Sequence, residues 1–346
     1  MGIFQAGLLA PVAIGPIIGG AIADSLGWRA IFWFLTVYAG VFLSTLFILL
    51  PETLRSIVGN GGVLPENAMT KYPLKQFQRT TKVSWQAKNS SQNPPRRPIN
   101  IFDPFRILAS KQAAPIIIFL AVHYGVWQMS ITAMSSLFEA HYGLTELQIG
   151  LTYIANGAGS ILGTLLTGKL LDIDYRKVQA AHMSRSFEGA DAREKAVRPN
   201  VQRGFPLEKA RLRLVPIFSG VQSCSILLFG WTIQYPRHAP LAIPIISSFI
   251  TGWTAVSTQS VVTTYLVDVF PDRSAAASAS LNLARCLFAA AGTSFIMPLV
   301  GSIGVGLAFT ACVALQIVGV VLLGLQWRLA AQQREKVREG HDRIAG

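Results

Sequence analysis

The chain has 346 residues, of which 51% are hydrophobic and only 14% charged, and its mean hydropathy is +0.43. A soluble domain carries about 25% charged residues, so a chain of this composition cannot cover a water-facing surface and takes lipid as its solvent. Yet 30 Lys and Arg stand against 17 Asp and Glu, a formal net charge of +13. Low apolar content, the mark of a disordered chain, is absent. The three cysteines (Cys224, Cys286 and Cys312) lie inside apolar runs without disulfide-framework spacing.

A helix rises about 1.5 Å per residue, so roughly 20 apolar residues cross a hydrocarbon core. Eight stretches meet that length: 2–23, 30–50, 113–135, 149–171, 212–234, 241–266, 274–299 and 303–327. They predict an all-α polytopic membrane protein. Ten-residue blocks of strand-type alternation are missing, which argues against a membrane barrel. The first stretch is not a signal peptide, because the first basic residue is Arg29 and a second full span follows.

The charge sorts by loop. If the chain crosses eight times, the segments 51–112 and 172–213, Lys169, Arg273 and the tail share one side and hold 27 of the 30 basic residues. The opposite side has Arg29 and Arg237, and Arg285 lies inside a span. Basic loops face the cytoplasm, so the long loops and C-terminus are expected inside, and the glycosylation sequon at Asn89 should stay bare. Residues 67–102 contain no acid and include Pro94-Pro95-Arg96-Arg97-Pro98, a basic linker able to lie on an anionic leaflet. No aromatic interleaving accompanies this charge, so no nucleic-acid partner is expected. No HExxH, GxSxG, P-loop or paired CxxC occurs, so neither an enzyme, a metal site nor an ATP-driven pump is expected.

Residues 10–35 carry a more specific pattern. Gly2, Gly15, Pro16, Gly19 and Gly20 match the antiporter signature of the major facilitator superfamily, with Pro11 standing where a glycine is usual. The stretches Leu50-Pro51-Glu52-Thr53-Leu54-Arg55, Asp268-Val269-Phe270-Pro271 and Ser278 to Arg285 resemble the fungal drug:proton antiporter branch, and Gly168-Lys169-Leu170-Leu171-Asp172 is similar to its cytoplasmic loop motif. The resemblance implies export of small organic molecules by alternating access, driven by a proton gradient without a cofactor, from a monomer in the plasma membrane whose partners are substrate, protons and lipid. It aligns the chain with the fifth to twelfth of twelve spans. The division is then two spans of an N-terminal bundle (1–50), a cytoplasmic basic linker (51–112), a six-helix C-terminal bundle (113–327) with a cytoplasmic loop (172–211), and a tail (328–346). The alternative is a truncated, transport-incompetent membrane fragment.

Candidate mechanistic residues follow. Gly15 and Gly19 are four apart on one helix face beside Pro16, and the resemblance makes this a gating contact. Arg285 is the one basic residue near the middle of a span, and Ser278, Asn282 and Arg285 form a polar stripe at i, i+4 and i+7. Arg285 serves either a wet cavity or a clamp on neighbouring carbonyls. His123 and Gln128, beside Trp127, are candidates for a substrate or proton pathway, His123 alternatively being a satisfied core residue. Asn156 and Ser160, beside the Gly159–Gly163 pair, are either pocket residues or interhelical glue. Ser247, Thr251, Thr254 and Thr258 make a similar stripe. Asp172, Asp268 and Arg273 are expected at a cytoplasmic gate, with an Asp268–Arg273 salt bridge.

Overall fold

The computed structural model describes residues 2–50, 102–110, 113–188, 211–270 and 273–345. Most of the basic linker, including Asn89, and the second half of the 172–211 loop fall outside these residues. The described residues form helices: α1 (Gly2–Leu26), α2 (Trp28–Leu49), α3 (Asp103–Leu108), α4 (Ala114–Tyr142), α5 (Glu146–Glu188), α6 (Val215–Gln234), α7 (Ala242–Val269), α8 (Ser274–Ile303) and α9 (Val305–Ala345). All but α3 are long. The chain divides into two compact units, Ser25–Ile101 and a larger one built from Met1–Asp24 with Phe102–Gly346.

Six described helices are long and apolar enough to cross a membrane: α2, α4, α5, α6, α8 and α9. Two of the eight expected spans are missing from that set. For α1 the described apolar part is the shorter Ile14–Leu26. Helix α7 is 28 residues long but carries nine Ser and Thr residues, and these dilute its apolarity. The protein is an all-helical, multi-pass integral membrane protein.

In the smaller unit, α2 follows Gly27, whose φ of +80° suits glycine and breaks the helical path. Its ridge of Phe34, Tyr38 and Phe42 stacks at i, i+4 spacing, with centroids 6.3 Å apart. In the larger unit, α4 ends on Gly143 in the left-handed conformation, whose N–H returns to the Glu139 carbonyl. Two residues on, Thr145 and Gln148 form a reciprocal capping box, at 3.0 and 3.4 Å, that starts α5. Three residues, Gly143 to Thr145, thus join α4 to α5.

Within this unit α5 packs along α7, α7 along α6, α6 along α9, α9 along α4, and α4 along α8, while α4 and α7 also meet directly. Small residues permit the closest approaches. A methyl group added at Gly163 of α5 would lie 2.6 Å from the Trp253 carbonyl oxygen of α7, and Gly159 meets the Phe249 backbone in the same way. Lipid is as apolar as leucine, so membrane helices associate through such close contact rather than through water exclusion. At one end, Phe138, Phe229 and Phe309 form an aromatic core, with Phe229 edge-on to Phe309 at 5.3 Å. At the other, Ile117, Val215, Val261, Leu266 and Ala277 draw α4, α6, α7 and α8 together.

Candidate functional site

The buried polar side chains of the larger unit fall into three groups. The first lies between α5 and α7. Asn156 Nδ2 donates to the Ser248 carbonyl at 3.0 Å, and Thr167 Oγ1 to Ser257 Oγ at 2.7 Å. Ser160 turns back on its own helix, to the Asn156 carbonyl. Thr254 and Thr258 do likewise, donating to the carbonyls of Ile250 and Thr254. All are essentially fully buried. Beside them a recess is lined by Ser130, Ile131, Met134, Asn156, Phe229, Ser248 and Thr251. The recess holds about 10 Å³, room for about one water molecule, against about 300–1,000 Å³ for a drug-sized site. The Asn156 Oδ1 atom is buried there without a hydrogen-bond partner.

The second group is centred on His123. Its Nδ1–H donates to the Phe119 carbonyl at 2.9 Å, and Nε2 is hydrogen-bonded to the Ser219 hydroxyl of α6. Both ring nitrogens are thus engaged. Gln222 Nε2 donates to the His123 carbonyl at 3.1 Å, and Ser223 donates to Gln316 Oε1 of α9 at 3.1 Å. His123 therefore joins α4 to α6 in the interior. Ser219, Gln222, Ser223 and Gln316 escape a reading by motif, although the two glutamines inside apolar runs were a visible signal.

The third group lies on α4 and α8. The guanidinium of Arg285 sits over the Tyr124 ring, 4.4 Å from its centroid. Trp127 meets the same ring edge-on at 5.5 Å. The approach of α8 is set by Gly125, where an added methyl group would touch the Phe288 backbone at 3.4 Å, and by Gly292, which abuts Met129. Arg285, Ser278 and Gln128 are half-buried, while Asn282 is exposed. Arg285 Nε and Trp127 Nε1 are buried with no hydrogen-bond partner. No described carbonyl accepts from Arg285, so of the two readings, a wet cavity or a clamp on neighbouring carbonyls, the described residues supply no clamp. A charge at the centre of a bilayer costs at least about 2.5 kcal/mol, which makes this unpaired cation the most demanding group in the bundle.

Ion pairs gather at the end of the bundle where α6 and α8 begin. Arg211 Nε meets Asp268 Oδ2 at 2.9 Å, Arg213 meets Asp174 at 3.8 Å, and Arg273 meets Asp103 at 3.8 Å. This corrects the expected Asp268–Arg273 bridge: each residue has another partner, because Arg273 is the N-cap of α8 and lies beside the short α3. Asp172 is exposed and forms no ion pair among the described residues.

The glycine motif of α1 is redistributed. Added methyl groups at Gly15 and Gly19 would touch nothing within 4 Å. Contact runs instead through Pro16 and Gly20. A methyl group at Gly20 would lie 2.6 Å from the Glu146 carbonyl oxygen, and one at Gly150 2.6 Å from that of Pro16. Thus α1 touches the start of α5 on the Pro16–Gly20 face. Gly2 opens α1, but its surroundings lie outside the described residues. Among the described residues no group of three His, Cys, Asp or Glu side chains could hold a metal.

The model of the Major Facilitator Superfamily matches residues 1–185 of this chain. The chain belongs to the major facilitator superfamily. Similar members of the superfamily are fungal. The MFS-type transporter phiD, from a fungal species (strain ATCC 74256), is 31% identical over 337 residues, covering 94% of this chain and 49% of phiD. Citrate exporter 1 of Aspergillus niger is 31% identical over 344 residues, covering 98% of this chain and 64% of the exporter. Multidrug transporter AQR1 of Candida glabrata is 30% identical over 340 residues, covering 94% and 55%. The chain thus spans between about half and just under two thirds of the length of these relatives.

Proposed function

We propose that the protein is a transmembrane transporter that exports small organic molecules by alternating access, in exchange for protons. The observation that carries this reading is the combination of superfamily membership with polar groups left unsatisfied inside the larger unit, on α4, α5 and α8. Membrane carriers of this kind bind substrate near the midplane and rock about it, and a bundle held together only by packing has no need of a lone guanidinium or an orphan amide oxygen in its interior. The relatives, among them a citrate exporter and a multidrug transporter, support small organic substrates. With no nucleotide-binding motif in the sequence, a proton gradient is the proposed drive. The proposed location is the plasma membrane, with the basic loops and C-terminus in the cytoplasm, an orientation supported by the asymmetry of Lys and Arg.

The test is reconstitution of the chain in sealed liposomes with an imposed pH gradient. Solute flux that reverses when the gradient is inverted is the expected result. Flux no greater than that of empty liposomes, from protein that elutes as a folded species, overturns the reading and leaves a membrane fragment without carrier activity.

A further inference from the structure

Arg285 poses a problem of charge balance. It is the twelfth residue of α8, about 17 Å along the helix from its start, and so lies deep in the span. No Asp or Glu occurs in residues 114–138 of α4, 147–171 of α5, 242–267 of α7 or 305–333 of α9, nor anywhere in α6 or α8. The nearest acid along α4 is Glu139, fifteen residues and about 22 Å from Tyr124. The charge is met on one side by the Tyr124 ring face. A second donor without an acceptor, Trp127 Nε1, belongs to a side chain packed against the same ring. Asn282 lies on the same face of α8, one turn before Arg285, and is exposed.

These groups define a ligand by what they lack. Two orphan donors and a fixed positive charge need an acceptor with negative charge, and a planar carboxylate fits the guanidinium fork. The flanking aromatic rings suit an apolar body attached to that carboxylate. A cationic amphipath would meet like charge, and a neutral one would leave the guanidinium uncompensated. We propose that Arg285, with Trp127 and Asn282, binds the carboxylate of an organic anion, and so makes the transporter selective for anionic substrates. This rests on the transport reading and specifies its substrate class.

Three probes of nearly equal shape test it: benzoate, benzyl alcohol and benzylammonium. Binding of each radiolabelled probe is measured by equilibrium dialysis against the full chain in phosphatidylcholine nanodiscs. Benzoate should bind at least about tenfold more tightly than the other two, the scale of one charge-assisted hydrogen bond. Arg285→Gln should erase that preference, Arg285→Lys should keep part of it, and Trp127→Phe should weaken benzoate alone. Equal binding of the three probes by the unaltered chain overturns the proposal, as does benzoate binding that survives Arg285→Gln. Should Arg285→Gln fail to fold, the three-probe comparison and Arg285→Lys still decide. Loss of benzoate binding when phosphatidylserine is added to the disc assigns the site to a lipid headgroup and overturns a substrate role. Gradient-driven flux separates the two levels. Flux without charge preference sinks the anion site and leaves the transport reading intact. Selective benzoate binding without flux of any probe does the reverse.

Discussion

His123 and Arg285 were the two titratable or charged side chains most conspicuous inside apolar runs, and the structure treats them in opposite ways. The imidazole is enclosed, with one nitrogen on a carbonyl and the other on a hydroxyl. The guanidinium has a ring beneath it and a bare Nε. Single residues in a hydrophobic stretch look alike in sequence, and only the partners supplied by other helices distinguish them. For His123 those partners, Ser219 and Gln222, are about a hundred residues downstream. It follows that Ser219→Ala should destabilise the protein, because it leaves a buried imidazole nitrogen unpaired at a cost of about 1–3 kcal/mol. A thermal-unfolding scan of the detergent-solubilised variant should show a lowered midpoint, while an unchanged midpoint would mean that the hydroxyl is dispensable. The Arg211–Asp268 pair is more modest. Its carboxylate side chain is 32% exposed, so Asp268→Asn should cost no more than about 1 kcal/mol, measurable in the same scan.

At the scale of elements, glycines that look equivalent in sequence separate by orientation. Gly15, Gly19 and Gly20 all belong to one motif, but only Gly20 lies against α5. Gly20→Ala should therefore disturb the α1–α5 contact and lower stability, whereas Gly15→Ala should be neutral or slightly stabilising, as alanine favours helix over glycine by about 1 kcal/mol. Equal effects of the two would remove the distinction. A stronger version applies between α5 and α7. Gly163→Leu would drive a side chain into the Trp253 backbone, an overpacking cost of about 1–3 kcal/mol or more. Fluorescence-detected size-exclusion should record loss of the folded peak, and a normal peak would show that α5 and α7 can separate freely. Gly159 and Gly163, four apart, are visible in the sequence as a small-residue face that permits close helix approach, but the spacing does not say that α7 covers it. Which glycine of α1 makes contact was not legible, since periodicity gives a face but not the neighbour that covers it.

At the scale of the molecule, hydrophobic length and loop charge made the all-helical, multi-pass architecture readable before any coordinates. They did so because the bilayer imposes one length and the inner leaflet one sign of charge. The Asn89 sequon provides a direct check on the orientation. Expressed in a glycosylating host, the chain should run at the same electrophoretic mobility before and after glycosidase treatment, and a shift would invert the topology. The pairing of helices was less legible. Neighbours in the bundle such as α4 with α8, or α4 with α9, are far apart in the chain, and the ion pairs at the bundle end follow that packing rather than sequence proximity. For the same reason Asp268 reaches back to Arg211 instead of forward to Arg273.

Helix α7 carries a last implication, for biogenesis. Its hydroxyls are quieted by bonds to carbonyls three or four residues back, as at Ser247, Thr251, Ser257 and Thr264. The unassisted segment still falls short of the apolarity of its neighbours. A translocating ribosome would therefore present α7 as a poor stop signal, retained in lipid only once α5 and α6, already synthesised, receive it. The order of the chain supplies its own chaperones: the two helices that cover α7 most extensively, α5 and α6, are the two made just before it.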